Sequence, residues 1–276
     1  ELTTKADIAE ELARIIGYDN ITTTVPRINI WAVIQSNTYK LKKDARAFFT
    51  DRGFFDVYNY SFVSNDLYEK LNMDINSCVE LKNALTLDAT HMKNSLIPNL
   101  MKGLEDNIKE RKDIKLVELE KVFFKKDSES SPEWHSISED YFLSWVMTSS
   151  KDLVYYDVQN IVTDFLQTIF TSNFYYDKVE VYPDFSHKWR TSRVVVRGQD
   201  VWYVWEIHPV VSKRFGVEDR VWFFEINVWK LLAWIYSIAK AKELSTFQEN
   251  NFDLSFVVDK SVLWKDIKNT ILNTDK

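Results

Sequence analysis

Apolar and polar side chains alternate along residues 201–209, VWYVWEIHP, and period-two alternation marks a strand. Val201, Tyr203, Trp205 and Ile207 share one face; Trp202, Val204 and Glu206 share the other. Each face therefore carries an indole, the largest side chain available, and a single strand rarely needs two.

The rest of the chain reads by the same two periods. Residues 3–16, TTKADIAEELARII, have the 3.6-residue spacing of an amphipathic helix, with Ile8, Leu12, Ile15 and Ile16 as its apolar stripe. Thr4 and Asp7 are spaced as a capping box, and Gly17 suits the stop. YDNITTTVPRINI is then an extended linker broken by a proline. Residues 36–52 predict a helix ending at Gly53, and FFDVYNYSFVS predicts one strand. Residues 90–110 predict a helix with Pro98 near its first turn, followed by the strand IKLVELEKVFF. KKDSESSPEWHS is a surface loop.

YFLSWVMTS is a strand and VYYDVQNIVTDFLQTIF a helix. KVEVYP, SRVVVRG, VWYVWEIHP and VWFFEIN are strands, with a short helix, PVVSKRFG, between the last two. NFDLSFVVD predicts a final strand, and LWKDIKNTIL a final helix. The pattern is α+β: a central antiparallel sheet with helices segregated to its flank.

Composition narrows the class. The chain has 276 residues, 45% hydrophobic and 28% charged, which is ordinary globular material. No apolar run approaches the ~18 residues of a membrane span, and the N-terminus lacks the pattern of a signal peptide. It opens inside a helix pattern, as expected of a piece of something longer. A single cysteine, Cys78, rules out an internal disulfide and a cysteine-based zinc cluster, and makes a reducing cytoplasm the default. A net charge of −6 argues against coating nucleic acid by bulk electrostatics.

Chemistry is sparse. His91, His135, His187 and His208 are scattered without metal-ligand spacing, and read as structural or surface residues. There is neither a glycine-rich phosphate loop nor a nucleophile elbow. One cluster has geometry: Asp7, Glu10 and Glu11 fall on one helical face, with Glu1 just upstream. Three like charges so close repel each other. A hard cation such as Mg²⁺ would relieve the repulsion, and plain solvation would also do so; from the residues alone, solvation is the default.

Several blocks, in order, resemble the beta subunit of bacterial phenylalanyl-tRNA synthetase. KADIAEELARIIGYDNI is similar to the end of its B5 domain. GFFDVYNYSFVS, LKNALTLDATHMKNSLIPNLMKGLEDNIKERKDIKLVELEKVF and EIHPVV are similar to its synthetase-like core, and FDLSFVVD to the opening of its anticodon-binding domain. The resemblance implies the end of a B5 domain at 1–21, a linker at 22–37, a core of class II aminoacyl-tRNA synthetase type at 38–240, and a truncated ferredoxin-like domain at 245–276. It implies a cytoplasmic (αβ)₂ heterotetramer that uses ATP to attach phenylalanine to tRNA(Phe). In that assembly the alpha subunit is catalytic, and the beta core is a structural partner without catalytic residues. It also implies a Mg²⁺ site shared with the alpha subunit, at positions matching Glu1, Asp7, Glu10 and Glu11; Glu1 stands where aspartate is usual. A different class of reading, a free-standing RNA- or protein-binding module on the same fold, predicts an open reading frame that does not extend on either side.

The resemblance also bears on the indoles. The family's blocks read approximately HPGRSA and VGYVGEIHP where this chain has HKWRTS and VWYVWEIHP, so Trp189, Trp202 and Trp205 occupy glycine positions, as does Trp145 in LSWVMT. The chain has 10 Trp and 5 Gly, where average usage would give roughly 19 glycines. Some bacterial lineages read UGA as glycine and others as tryptophan. The expectation is that glycine codons stand here as tryptophan. Forcing side chains into space shaped for hydrogen typically costs about 1–3 kcal/mol per site. Replacing Trp189, Trp202 and Trp205 together by glycine should therefore raise the thermal midpoint and the soluble yield. A lower midpoint would show that the indoles belong.

Overall fold

The N-terminal helix forms as α1 (Lys5–Ile16), and its start is the expected capping box. Thr4 accepts from the Asp7 backbone N–H, and Asp7 accepts from that of Thr4. Its apolar stripe is exposed: Ile15 is 77% accessible, and no residue of the helix is buried. The computed structural model describes residues 3–29, 34–84, 86–126, 137–150, 155–169, 174–196, 199–228, 232, 248, 250–259, 261–262 and 264–274. They divide between two units, Glu1–Ser237 and Ile238–Lys276.

In the first unit, α2 (Asn37–Thr50) is capped by Ser36 and buries Leu41, Ala45, Phe48 and Phe49. Its exit turns at Gly53, whose φ of 80° lies in the left-handed region that favours glycine. A seven-stranded sheet follows, built from β1 (Phe55–Asp56), β5 (Ile114–Lys125), β6 (Ile137–Thr148), β7 (Phe174–Asp177), β8 (Ser186–Val196), β9 (Gln199–Ile207) and β10 (Val221–Asn227). The spatial order is β1-β5-β6-β10-β9-β8-β7. A small three-stranded sheet has the order β2-β4-β3, from β2 (Phe62–Val63), β3 (Val79–Glu80) and β4 (His91–Met92). The remaining helices of this unit are α3 (Asn65–Lys70), α4 (Ile97–Asn107), α5 (Tyr155–Ile169) and α6 (Pro209–Arg214).

Six expectations need correction. The stretch FFDVYNYSFVS is two strands in two sheets. Phe55 and Asp56 pair with Leu116 and Val117, after which the Asn59 backbone N–H turns to the Glu118 carboxylate, and Phe62 resumes pairing at Met92. That first pairing is parallel, so the sheet is antiparallel only from β5 onward. Residues 90–110 begin as strand β4, because the helix waits for Pro98, whose missing N–H and fixed φ suit a first turn. The edge strand falls on Phe174–Asp177 rather than on KVEVYP, and just past it the Lys178 N–H bonds its neighbour Asp177 instead of a ladder partner. In the second unit, residues 250–259 are exposed and form no strand among the described residues, where helix α7 (Trp264–Asn273) follows. The loop at 125–136 lies mostly outside the described residues.

Helices cover both sheet faces rather than one flank. Alternate residues of the same strands enter two cores. Leu119, Leu143, Trp145, Val204 and Phe224 pack with α2 and α5, while Leu116, Val146, Trp205 and Phe223 pack with α4 and α6. The approach of α4 is close: a Cβ on Gly103 would sit 3.1 Å from the Leu116 side chain. Strand β9 lies inside the sheet, between β10 and β8, and contributes to both cores, Val204 to one and Trp205 to the other. Tyr203 and Trp205 stack at 4.8 Å on one face, and Val204 is buried on the other.

Trp145, Trp205 and Trp222 are accommodated in aromatic contacts. Trp145 stacks on Phe224 at 5.7 Å, and Trp205 lies 4.8 Å from Phe223. Hydrogen bonding is less complete. The buried indole Nε1 atoms of Trp145, Trp205 and Trp222 have no partner, and a buried unsatisfied donor costs about 1–3 kcal/mol. Trp189 is 90% exposed.

Candidate functional site

The acidic face of α1 is already engaged. Asp7 Oδ2 accepts the backbone N–H groups of Thr4 at 2.7 Å and Thr3 at 2.8 Å. These bonds, that from Thr4 foremost, hold its carboxyl below the usual range. Glu11 accepts from the Arg14 guanidinium at 2.5 Å, and Glu10 is exposed to solvent. Glu1 lies outside the described residues. Among the described residues, no three acidic, histidine or cysteine side chains gather into a group able to hold a metal. The donor chemistry suits a hard cation, but the described carboxylates of α1 do not gather into a site for one.

Sequence reading missed a second constellation, in the sheet. Glu118 on β5 pairs with Ser144 on β6, Ser144 with Glu225 on β10, Glu225 with Tyr203 on β9, and Tyr203 with Arg193 on β8. Directly paired residues point to the same face, so these side chains form one polar rung across an apolar sheet. Each lies in a strand whose period reads as core, and only the odd glutamate in LVELE and FFEIN signals it.

Glu118, Ser144 and Glu225 are satisfied from within the chain, whereas the buried Arg193 Nε at the far end of the rung has no partner. Lys93 Nζ meets Glu118 Oε1 at 2.8 Å, with both side chains essentially inaccessible, and Asn59 Nδ2 meets Oε2 at 2.8 Å. Glu225 receives the start of α4: its Oε1 accepts the Leu96 backbone N–H at 2.8 Å and the Ser95 hydroxyl at 2.9 Å. A carboxylate suits the positive end of a helix. Burial still dominates and pushes the Glu225 carboxyl up to about 7, against the pull of the Leu96 and Ser95 bonds. Ser144 donates to the Phe224 carbonyl at 2.7 Å. A rung so closed holds α4 and the 54–63 segment against the sheet, and its carboxylates face their own chain rather than a ligand.

A family model for the phenylalanyl tRNA synthetase beta chain CLM domain matches residues 21–228. The chain belongs to that family. Curated relatives are named phenylalanine--tRNA ligase beta subunits. That of Syntrophus aciditrophicus is 28% identical over 282 residues, covering 97% of this chain and 34% of the relative. That of Clostridium acetobutylicum is 25% identical over 277 residues, covering 98% and 34%. The chain thus spans about a third of the length of the curated relatives it matches. A solved pyrrolysyl tRNA synthetase, PylSc of Desulfitobacterium hafniense, shares the fold with a TM-score of 0.56 at 13% identity, covering 71% of this chain and 68% of that one. Among the described residues of this family member, no helix is long and apolar enough to cross a membrane.

The Glu225 geometry sets a pH dependence. Its folded pKa lies above the ordinary carboxyl value, so the native state binds the proton more tightly than the unfolded chain. The resulting stabilisation is full below about 4.5 and is lost as pH rises through about 7. Part of the side chain reaches solvent, so the slope should fall short of the ~1.4 kcal/mol per pH unit of a fully shifted group. Glu225→Gln removes the titration. In urea unfolding, its stability relative to the parent should rise between pH 5 and pH 7.5, whereas parallel profiles would show that the carboxyl titrates normally.

Proposed function

We propose that the chain is part of the beta subunit of a bacterial phenylalanine–tRNA ligase, and that its class II-type core acts as a structural partner of a catalytic alpha subunit. The assembly is an (αβ)₂ heterotetramer in the cytoplasm that joins phenylalanine to tRNA(Phe) at the expense of ATP. Within this reading, residues 1–21 end a B5 domain, 22–37 link it to a core at 38–240, and 245–276 begin an anticodon-binding domain.

One observation carries the scaffold role: the polar rung Glu118–Ser144–Glu225 is saturated by Lys93, Asn59, Ser95 and Leu96 of the same chain. General acid–base work needs a group within hydrogen-bond reach of substrate; Glu118 is buried, and the half-buried Glu225 spends its Oε1 on the Leu96 N–H and the Ser95 hydroxyl. The chain alone should therefore give no phenylalanine-dependent ATP–pyrophosphate exchange, with activity appearing only when the alpha subunit is added. Robust exchange by the purified chain would overturn the proposal.

The acidic face of α1 is proposed as this chain's share of a Mg²⁺ site, with Asp7, Glu10, Glu11 and Glu1 as its ligands and further ones from the alpha subunit. Asp7 Oδ2 already caps the helix, which makes Glu10 and Glu11 the informative positions. In the reconstituted complex, Glu10→Ala with Glu11→Ala should weaken the Mg²⁺ dependence of assembly, measured by sedimentation across a magnesium series. Unchanged dependence would mean that the face is merely solvated.

A further inference from the structure

The fold brings together two histidines that lie 21 positions apart in sequence and that the scaffold reading does not use. His187 on β8 and His208 at the start of α6 lie nearly parallel, with ring centroids 6.1 Å apart and an interplanar angle of 23°. Both line a cavity of about 500 Å³ with Tyr182, Asp184, Lys188 and Val211, a volume within the ~300–1,000 Å³ of small-molecule sites.

Each imidazole is fixed in the same way. His187 Nδ1 accepts the Trp189 backbone N–H at 3.3 Å, and His208 Nδ1 accepts that of Val210 at 3.2 Å. A ring nitrogen that accepts carries no proton, so the proton of each ring sits on Nε2. The Nε2 edge lies opposite the tethered one, away from the backbone each ring is bonded to. A metal needs the Nε2 lone pair, which this tautomer gives to hydrogen. An anion needs donors, and the two Nε2–H groups supply them, with Lys188 lining the same cavity. Hydrogen bonds of about 2.9 Å from the two rings can converge on one tetrahedral anion.

We propose that this cavity binds a phosphate group, held by His187 Nε2–H, His208 Nε2–H and Lys188. Asp184, which only accepts when ionised, faces the same space and suits the hydroxyls of an organic moiety attached to the phosphate. Trp189 also lines the cavity, at a position where the family resemblance places glycine, and the assignment does not depend on it.

The test is calorimetric titration of the 276-residue chain with inorganic phosphate and with adenosine monophosphate, against chloride at matched ionic strength, alongside nitrogen-15 spectra of the imidazoles. Saturable binding is expected, with the Nε2 signals of both histidines moving together. Tighter binding of the nucleotide would identify a phosphate monoester as the ligand, and equal binding the phosphate group alone. His187→Asn and His208→Asn keep an amide oxygen for the backbone N–H but remove the Nε2 donor. Each should weaken binding at least tenfold with the thermal midpoint unchanged, and Lys188→Gln, at an exposed position, should weaken it as well. The proposal fails if phosphate produces no saturable shift beyond that of chloride. It also fails if the asparagine and glutamine variants bind as the parent does.

Discussion

The structure depends on how two carboxylates are kept at the centre of a sheet that is apolar on both faces. An isolated buried charge is costly, and the cost is met only by close partners. Glu118 has the Lys93 ammonium and the Asn59 amide; Glu225 has the Ser95 hydroxyl and the open N–H at the start of α4. Each partner comes from a segment that would otherwise be irregular. The carboxylates therefore decide where residues 54–63 leave the large sheet and where α4 lands.

That arrangement links packing to role. Once Leu96 has given its N–H to Glu225, α4 can bury Ile97, Leu100, Met101 and Leu104 over Leu116 and Phe223. Gly103 leaves the room for it. The same contact closes the sheet face over its own polar groups. On such a face the glutamate oxygens are spent on donors of the same chain.

By contrast, several groups beyond the two carboxylates are left unsatisfied or uncovered, Arg193 Nε at the far end of the rung among them. The α1 stripe of Ile8, Leu12, Ile15 and Ile16 is exposed within this chain. Three buried indole N–H groups lack acceptors. These are places where the residues and their surroundings disagree, and in a minimally frustrated sequence such disagreement is uncommon. For the indoles, it falls on Trp145 and Trp205, two of the positions where the family resemblance places glycine.

The sequence by itself determined the elements whose signal is local. The capping box of Thr4 and Asp7, the helix that becomes α2, the alternation of β5, the strands β6 and β10, and the family to which the chain belongs were all legible there, because caps and periodicity act between residues close in sequence. Tertiary structure alone decided what depends on distant partners. FFDVYNYSFVS reads as one strand until a carboxylate 59 residues away draws off the Asn59 N–H. Glu118 and Glu225 read as stray polar positions until register sets them on one rung through Ser144. His187 and His208 read as scattered until the start of β8 meets the start of α6. Local pattern carries no record of register between strands, and register is what placed every one of these groups.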